Sequence, residues 1–250
     1  MNVQRPLTAD PAAEPSPLDA ARPGVCRAGG VAALVMLAYS LATMVQMLAL
    51  GGQPTSAQQA FDLLEHHRLI ALLRLDLPTL MAMPLYYLIF LGLWAALRRA
   101  APAAATIAAL LAVAGNTLVL STPTALSLVP LSQRYAAAAS EAARLQLLTA
   151  AEALMAADMW HSTAAILGGI LLECGAVLIS LAMLKGGVFS RATGWLGIAM
   201  HSLDLAHIVA GLMMPKAGVV LMAVAGPLYP IWLWLVGRRL LQLGRPAEKA

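Results

Sequence analysis

Six stretches of the chain run for about 20 residues almost without charge, the length a helix needs to cross roughly 30 Å of hydrocarbon. Charges and helix breakers set their bounds. Residues 29–50 fill part of the uncharged interval between Arg27 and Asp62, and residues 77–97 lie between Asp76 and the Arg98–Arg99 pair. Residues 102–120 open at Pro102, a residue suited to a first helical turn. Residues 159–184 close at Lys185-Gly186-Gly187, residues 195–214 at Pro215-Lys216, and residues 217–236 before Arg238–Arg239. The pattern predicts an all-α, polytopic membrane bundle of six transmembrane helices.

The segments between these runs are patterned differently. Residues 1–24 are rich in Pro and Ala and poor in large apolar groups, which predicts a disordered tail. The apolar run that follows is too late and too long for a secretory signal. Residues 61–73 place Leu64, Leu69, Leu72 and Leu73 among Asp62, Glu65, His66 and Arg68, the pattern of an amphipathic helix at the interface. Residues 134–157 are Ala-rich, with Glu141 and Arg144 at i,i+3 spacing. They are expected to form an outer helix running with little break into the fourth span. A single membrane domain over 25–240, followed by a short tail at 241–250, completes the expected organisation.

Composition agrees with this reading. Only 11% of residues are charged and mean hydropathy is +0.77, whereas soluble chains carry roughly 25% charged residues. Three Lys and thirteen Arg form no basic face, which excludes nucleic acid as a partner. Two Cys exclude a disulfide scaffold. Eleven of the sixteen basic residues fall on one side, from Arg5, Arg22 and Arg27 through Arg98–Arg99, Lys185 and Arg191 to Arg238, Arg239, Arg245 and Lys249. The positive-inside rule then puts both termini in the cytoplasm, with the bundle in the cytoplasmic membrane and the lipid bilayer as its main partner.

Ionisable groups within spans are costly, so they face the bundle interior and mark function or helix pairing. His201, Asp204 and His207 are spaced i, i+3, i+6 in the fifth span, which confines them to an arc of about 120°. Glu173 lies midway along the fourth span, with Asp158 and His161 at its outer end. Because these spans run antiparallel, residue counting places Glu173 level with His201 and Asp204. Asn116 and Gln46 are uncharged intramembrane groups that also need partners. The expected site is a polar cluster of Glu173, His201, Asp204, His207 and Asn116, with His161 and Asp158 at its mouth. Pro227 and Pro230 flank Tyr229, and Pro78 and Pro84 precede Tyr86–Tyr87. Such prolines free backbone carbonyls and can open a cavity that tyrosine hydroxyls line, placing Tyr229 among the ligand-binding candidates.

Three residue stretches carry a family likeness. Phe189-Ser-Arg191-Ala-Thr-Gly194-Trp-Leu-Gly197, the Arg27-Ala-Gly-Gly30 entry to the first span, and Trp232-Leu-Trp-Leu-Val-Gly237 in the last span resemble the membrane-protein family called domain of unknown function 4386. The resemblance covers residues 25–244 and implies six membrane helices. It brings no activity or catalytic residues.

The chemistry supports several readings. The main one is a non-enzymatic site that binds, senses or conducts a small ligand or ion, or serves a membrane partner protein. The rival is an intramembrane enzyme acting on a lipid or isoprenoid, with Asp204 or Glu173 as acid and His201 as their partner. A third is an assembly protein whose polar groups only pair helices. No cofactor is expected from sequence motifs. His201, Asp204, His207 and Glu173 offer ligand types suited to a metal ion, and paired histidines could ligate haem.

Overall fold

The computed structural model describes residues 17–245, and among them there are twelve α-helices and no strand. Six apolar spans are built from them: α1 (Pro17–Leu50), α4 (Leu77–Ala82) with α5 (Pro84–Leu97), α6 (Pro102–Leu120), α9 (Thr163–Met183), α10 (Arg191–Met213), and α11 (Pro215–Ala225) with α12 (Leu228–Leu243). Four further helices, α2 (Ala57–His66), α3 (Arg68–Arg74), α7 (Ala125–Ala136) and α8 (Glu141–Ala156), lie in the connections at one end. The all-α bundle is therefore the observed fold.

Local chemistry explains the boundaries. Ser56, Ser140, Ser162 and Ser190 cap α2, α8, α9 and α10, each accepting from a backbone N–H three residues on. Pro84 cannot donate, so the second span breaks at Met83 and restarts as α5. Pro78 lies in the first turn of α4, where its missing N–H costs nothing, so it opens the helix and does not kink it. Gly226-Pro227 breaks the last span in the same way as Pro84 breaks the second.

The spans close into a ring in the order α1, α5, α6, α9, α10, α12, with α12 returning to α1. The closest approach is between α6 and α9. A Cβ on Gly115 would lie 2.4 Å from the Gly168 carbonyl oxygen and the Leu172 nitrogen, so backbone meets backbone and only glycine fits. Small residues at crossings are the usual means of close packing in lipid, where dispersion contacts replace the hydrophobic drive. The ring core is made of Ile89, Phe90, Leu93, Ile179, Met183, Met200, Trp232 and many alanines. The α2, α3, α7 and α8 helices form a second, smaller core around Phe61, Leu64 and Leu128. This outer layer is tied down by Asp76, which is 2% exposed and accepts from the backbone nitrogens of Thr124 and Ala125 at 2.5 and 2.8 Å. Gln46 reaches the same layer by donating to the Leu73 carbonyl.

Besides Pro78, four expectations from the sequence need correction, the first being the single lead-in helix at 61–73, which breaks at His67 into α2 and α3. Residues 17–24 are helical, extending α1 into the expected tail; residues 1–16 and 246–250 lie outside the described part. The reason is a set of polar anchors: Asp19 accepts from Arg98 and Arg99 at 2.5 and 2.8 Å, and Arg22 donates to the Ala95 carbonyl at the end of α5 at 3.2 Å. Residues 241–243 continue α12, so the last tail is shorter than expected. The outer helix α8 does not run into the fourth span. It stops at Ala156, and α9 starts afresh at Thr163 behind its Ser162 cap.

Candidate functional site

Glu173 is the central residue of α9, with ten residues of that helix on either side, and is 5% exposed. His201 lies one residue from the centre of α10 and is 2% exposed. Antiparallel packing of the two helices brings them to one level, and His201 Nδ1 lies 2.7 Å from Glu173 Oε2. Tyr229 enters from the start of α12. The chain interruption at Gly226-Pro227 sets its position, its N–H bonding the Gly226 carbonyl at 3.2 Å. Its hydroxyl lies 2.7 Å from Asp204 Oδ2 and 3.3 Å from Glu173 Oε1. His201, Glu173, Tyr229 and Asp204 thus form one hydrogen-bonded chain across three helices.

Aromatic packing holds the imidazole. The Trp232 ring meets it edge-on with centroids 4.9 Å apart, and Tyr229 does so at 5.6 Å. Trp232 is seated by Gly197, where a Cβ would come within 2.5 Å of the indole Nε1 and 2.4 Å of Ser180 Oγ. His201 Nε2 and Trp232 Nε1 are buried and have no hydrogen-bond partner among the described residues. Trp232 is a member of the site that sequence reasoning missed. Its signal was an aromatic one turn beyond Tyr229, which reads equally well as a lipid-facing anchor.

Other candidates stand elsewhere. Asn116 Nδ2 donates to the Met83 carbonyl at 3.1 Å, at the proline break between α4 and α5. His207 Nδ1 bonds the Gly218 carbonyl at 2.9 Å, closing the α10–α11 hairpin. Both satisfy backbone of a neighbouring element. His161 is exposed and pairs with Asp158 at 2.8 Å in the turn before α9; Asp158 also accepts from the Trp160 and His161 backbone nitrogens. The four-residue metal set splits accordingly, with Glu173, His201 and Asp204 on one chain of bonds and His207 on another. Among the described residues no group of three or more His, Cys, Asp or Glu is arranged to hold a metal ion.

No family model matches the chain, and no curated protein or solved structure matches it. Its class rests on the fold: six long apolar helices make it a multi-pass membrane protein.

Proposed function

We propose that the protein binds a small cation, the proton included, at the chain formed by His201, Glu173, Tyr229 and Asp204, without catalysing a reaction. One observation carries this. Three contacts in the chain (His201 to Glu173, Tyr229 to Glu173, Tyr229 to Asp204) share two hydrogens, because a neutral imidazole presents one N–H and a tyrosine one O–H. The remaining contact joins oxygens that both bear lone pairs and calls for one more hydrogen or a metal-like charge. Two carboxyl groups within spans are also expensive to leave uncompensated. A small positive species answers both demands.

The test is thermal unfolding of the purified full chain in sodium, potassium or ammonium chloride against choline chloride, and across a pH series. A ligand at a hundred times its Kd stabilises by about 2.7 kcal/mol. Expected is a rise in Tm with one of these cations, or with acid, that Asp204→Asn and Glu173→Gln abolish. The same response in wild type and both variants would overturn the reading.

The same proposal places the chain in the cytoplasmic membrane with both ends inside, supported by the eleven basic residues on that side. In a cysteine-free background, Arg144→Cys should react with an impermeant thiol reagent on intact cells, and Arg245→Cys only after permeabilisation. Kinship with domain of unknown function 4386 belongs here too. The stretch from Phe189 to Gly197 supports it, and it carries no activity.

A further inference from the structure

A groove of about 460 Å³ runs along the crevice between α1 and α5, away from the polar chain. Ala28, Val31, Ala32 and Val35 of α1 and Leu85 and Leu88 of α5 line it. Val31, Val35 and Leu88 are 49%, 48% and 42% exposed, so the groove opens on the lipid-facing surface. Below it the two helices touch at Gly29 and Gly92, where a Cβ on Gly29 would meet the Gly92 Cα at 2.9 Å. Towards one end stands Arg27, eight residues before Val35, or about 12 Å along the helix.

Arg27 differs from its neighbours. Arg22 donates to the carbonyls ending α5, and Arg98 and Arg99 are bound by Asp19. Arg27 is exposed and makes no hydrogen bond or ion pair among the described residues. The occupant that fits is apolar over about 12 Å and anionic at one end. The geometry points to an anionic phospholipid, with an acyl chain lying along Val31, Val35, Leu85 and Leu88 and its phosphate on the Arg27 guanidinium. Guanidinium presents paired donors that match two phosphate oxygens. The surrounding excess of Arg over acid favours an anionic headgroup over a zwitterionic one.

Native mass spectrometry of the full chain, released from micelles holding equal phosphatidylglycerol and phosphatidylcholine, tests this. Wild type should retain phosphatidylglycerol preferentially. Arg27→Gln should lower that preference about fivefold, the effect of one basic side chain at an anionic surface, and Arg27→Lys should keep most of it. Ala28→Phe should fill the groove and remove retention of both lipids, with helical content and Tm measured to show that the bundle is intact. If Ala28→Phe fails to fold, the two Arg27 variants decide. Equal retention of the two lipids by wild type, or an unchanged preference in Arg27→Gln, would overturn the proposal.

Discussion

Nδ1 of His201 lies 2.7 Å from Oε2 of Glu173; Glu173 stands at the midpoint of α9 and His201 one residue from the midpoint of α10. The pair therefore sits deep between the ends of α9 and α10, where water is least able to replace a lost partner. Glu173→Leu leaves the imidazole N–H buried and unsatisfied, at a cost of about 1–3 kcal/mol. Glu173→Gln keeps a carbonyl acceptor. Expected is a Tm order of wild type, then Glu173→Gln, then Glu173→Leu in detergent. An unchanged Tm in Glu173→Leu would show that the contact contributes nothing.

Tyr229 joins the two acids through one hydroxyl, so its removal and the removal of Asp204 should not act independently. In a double-mutant cycle of Tyr229→Phe with Asp204→Asn, the coupling expected is that of interhelical hydrogen bonds in membranes, about 0.6 and up to roughly 1.7 kcal/mol. The cycle is read from unfolding free energies. Strict additivity would mean that the 2.7 Å contact between hydroxyl and carboxylate is energetically empty.

Packing of α6 on α9 depends on Gly115. A methyl there would overlap backbone atoms that cannot swing aside, so Gly115→Ala should destabilise by about 1–3 kcal/mol. Gly24 of α1 has nothing within 4 Å of its Cβ position. Gly24→Ala should therefore be neutral or slightly stabilising, through helix propensity. Equal Tm values for the two variants would contradict the close crossing.

The outer layer should come loose without the bundle. Asp76 takes two N–H groups at the start of α7 and the Thr124 hydroxyl at 3.1 Å. Asp76→Ala leaves those donors buried, and α7 should exchange its amide hydrogens faster by hydrogen–deuterium exchange. Amides of α9 should be unaffected. Faster exchange across all spans would instead make Asp76 a keystone of the whole fold.

Long uncharged runs are an unambiguous signal, because hydrocarbon tolerates no unpaired backbone. The bounds of α6 are accordingly those expected from Pro102 onward. The level match of Glu173 with His201 also follows from counting residues along two antiparallel spans. What counting does not supply is a polar side chain's choice of partner. Asn116 and His207 are expected from the sequence to join the cluster, yet each bonds a backbone carbonyl of a neighbouring element. Asp76 looked like a boundary charge and is a buried cap, since its partners lie forty-eight and forty-nine residues away. The helical character of residues 17–24 was hidden in composition, because Asp19 and Arg22 are ordered by polar contacts with the end of α5 and not by apolar burial.

Infrared difference spectroscopy of the carboxyl bands on cation exchange bears most directly on the shared site, comparing wild type with Glu173→Gln, Asp204→Asn and Tyr229→Phe in nanodiscs. Expected in wild type is a carboxyl band that responds to the added cation, disappears in one of the acid-to-amide variants, and moves in frequency when the Tyr229 hydroxyl is gone. A spectrum indifferent to every cation, or the same response in all four proteins, would contradict a cation held between Glu173 and Asp204.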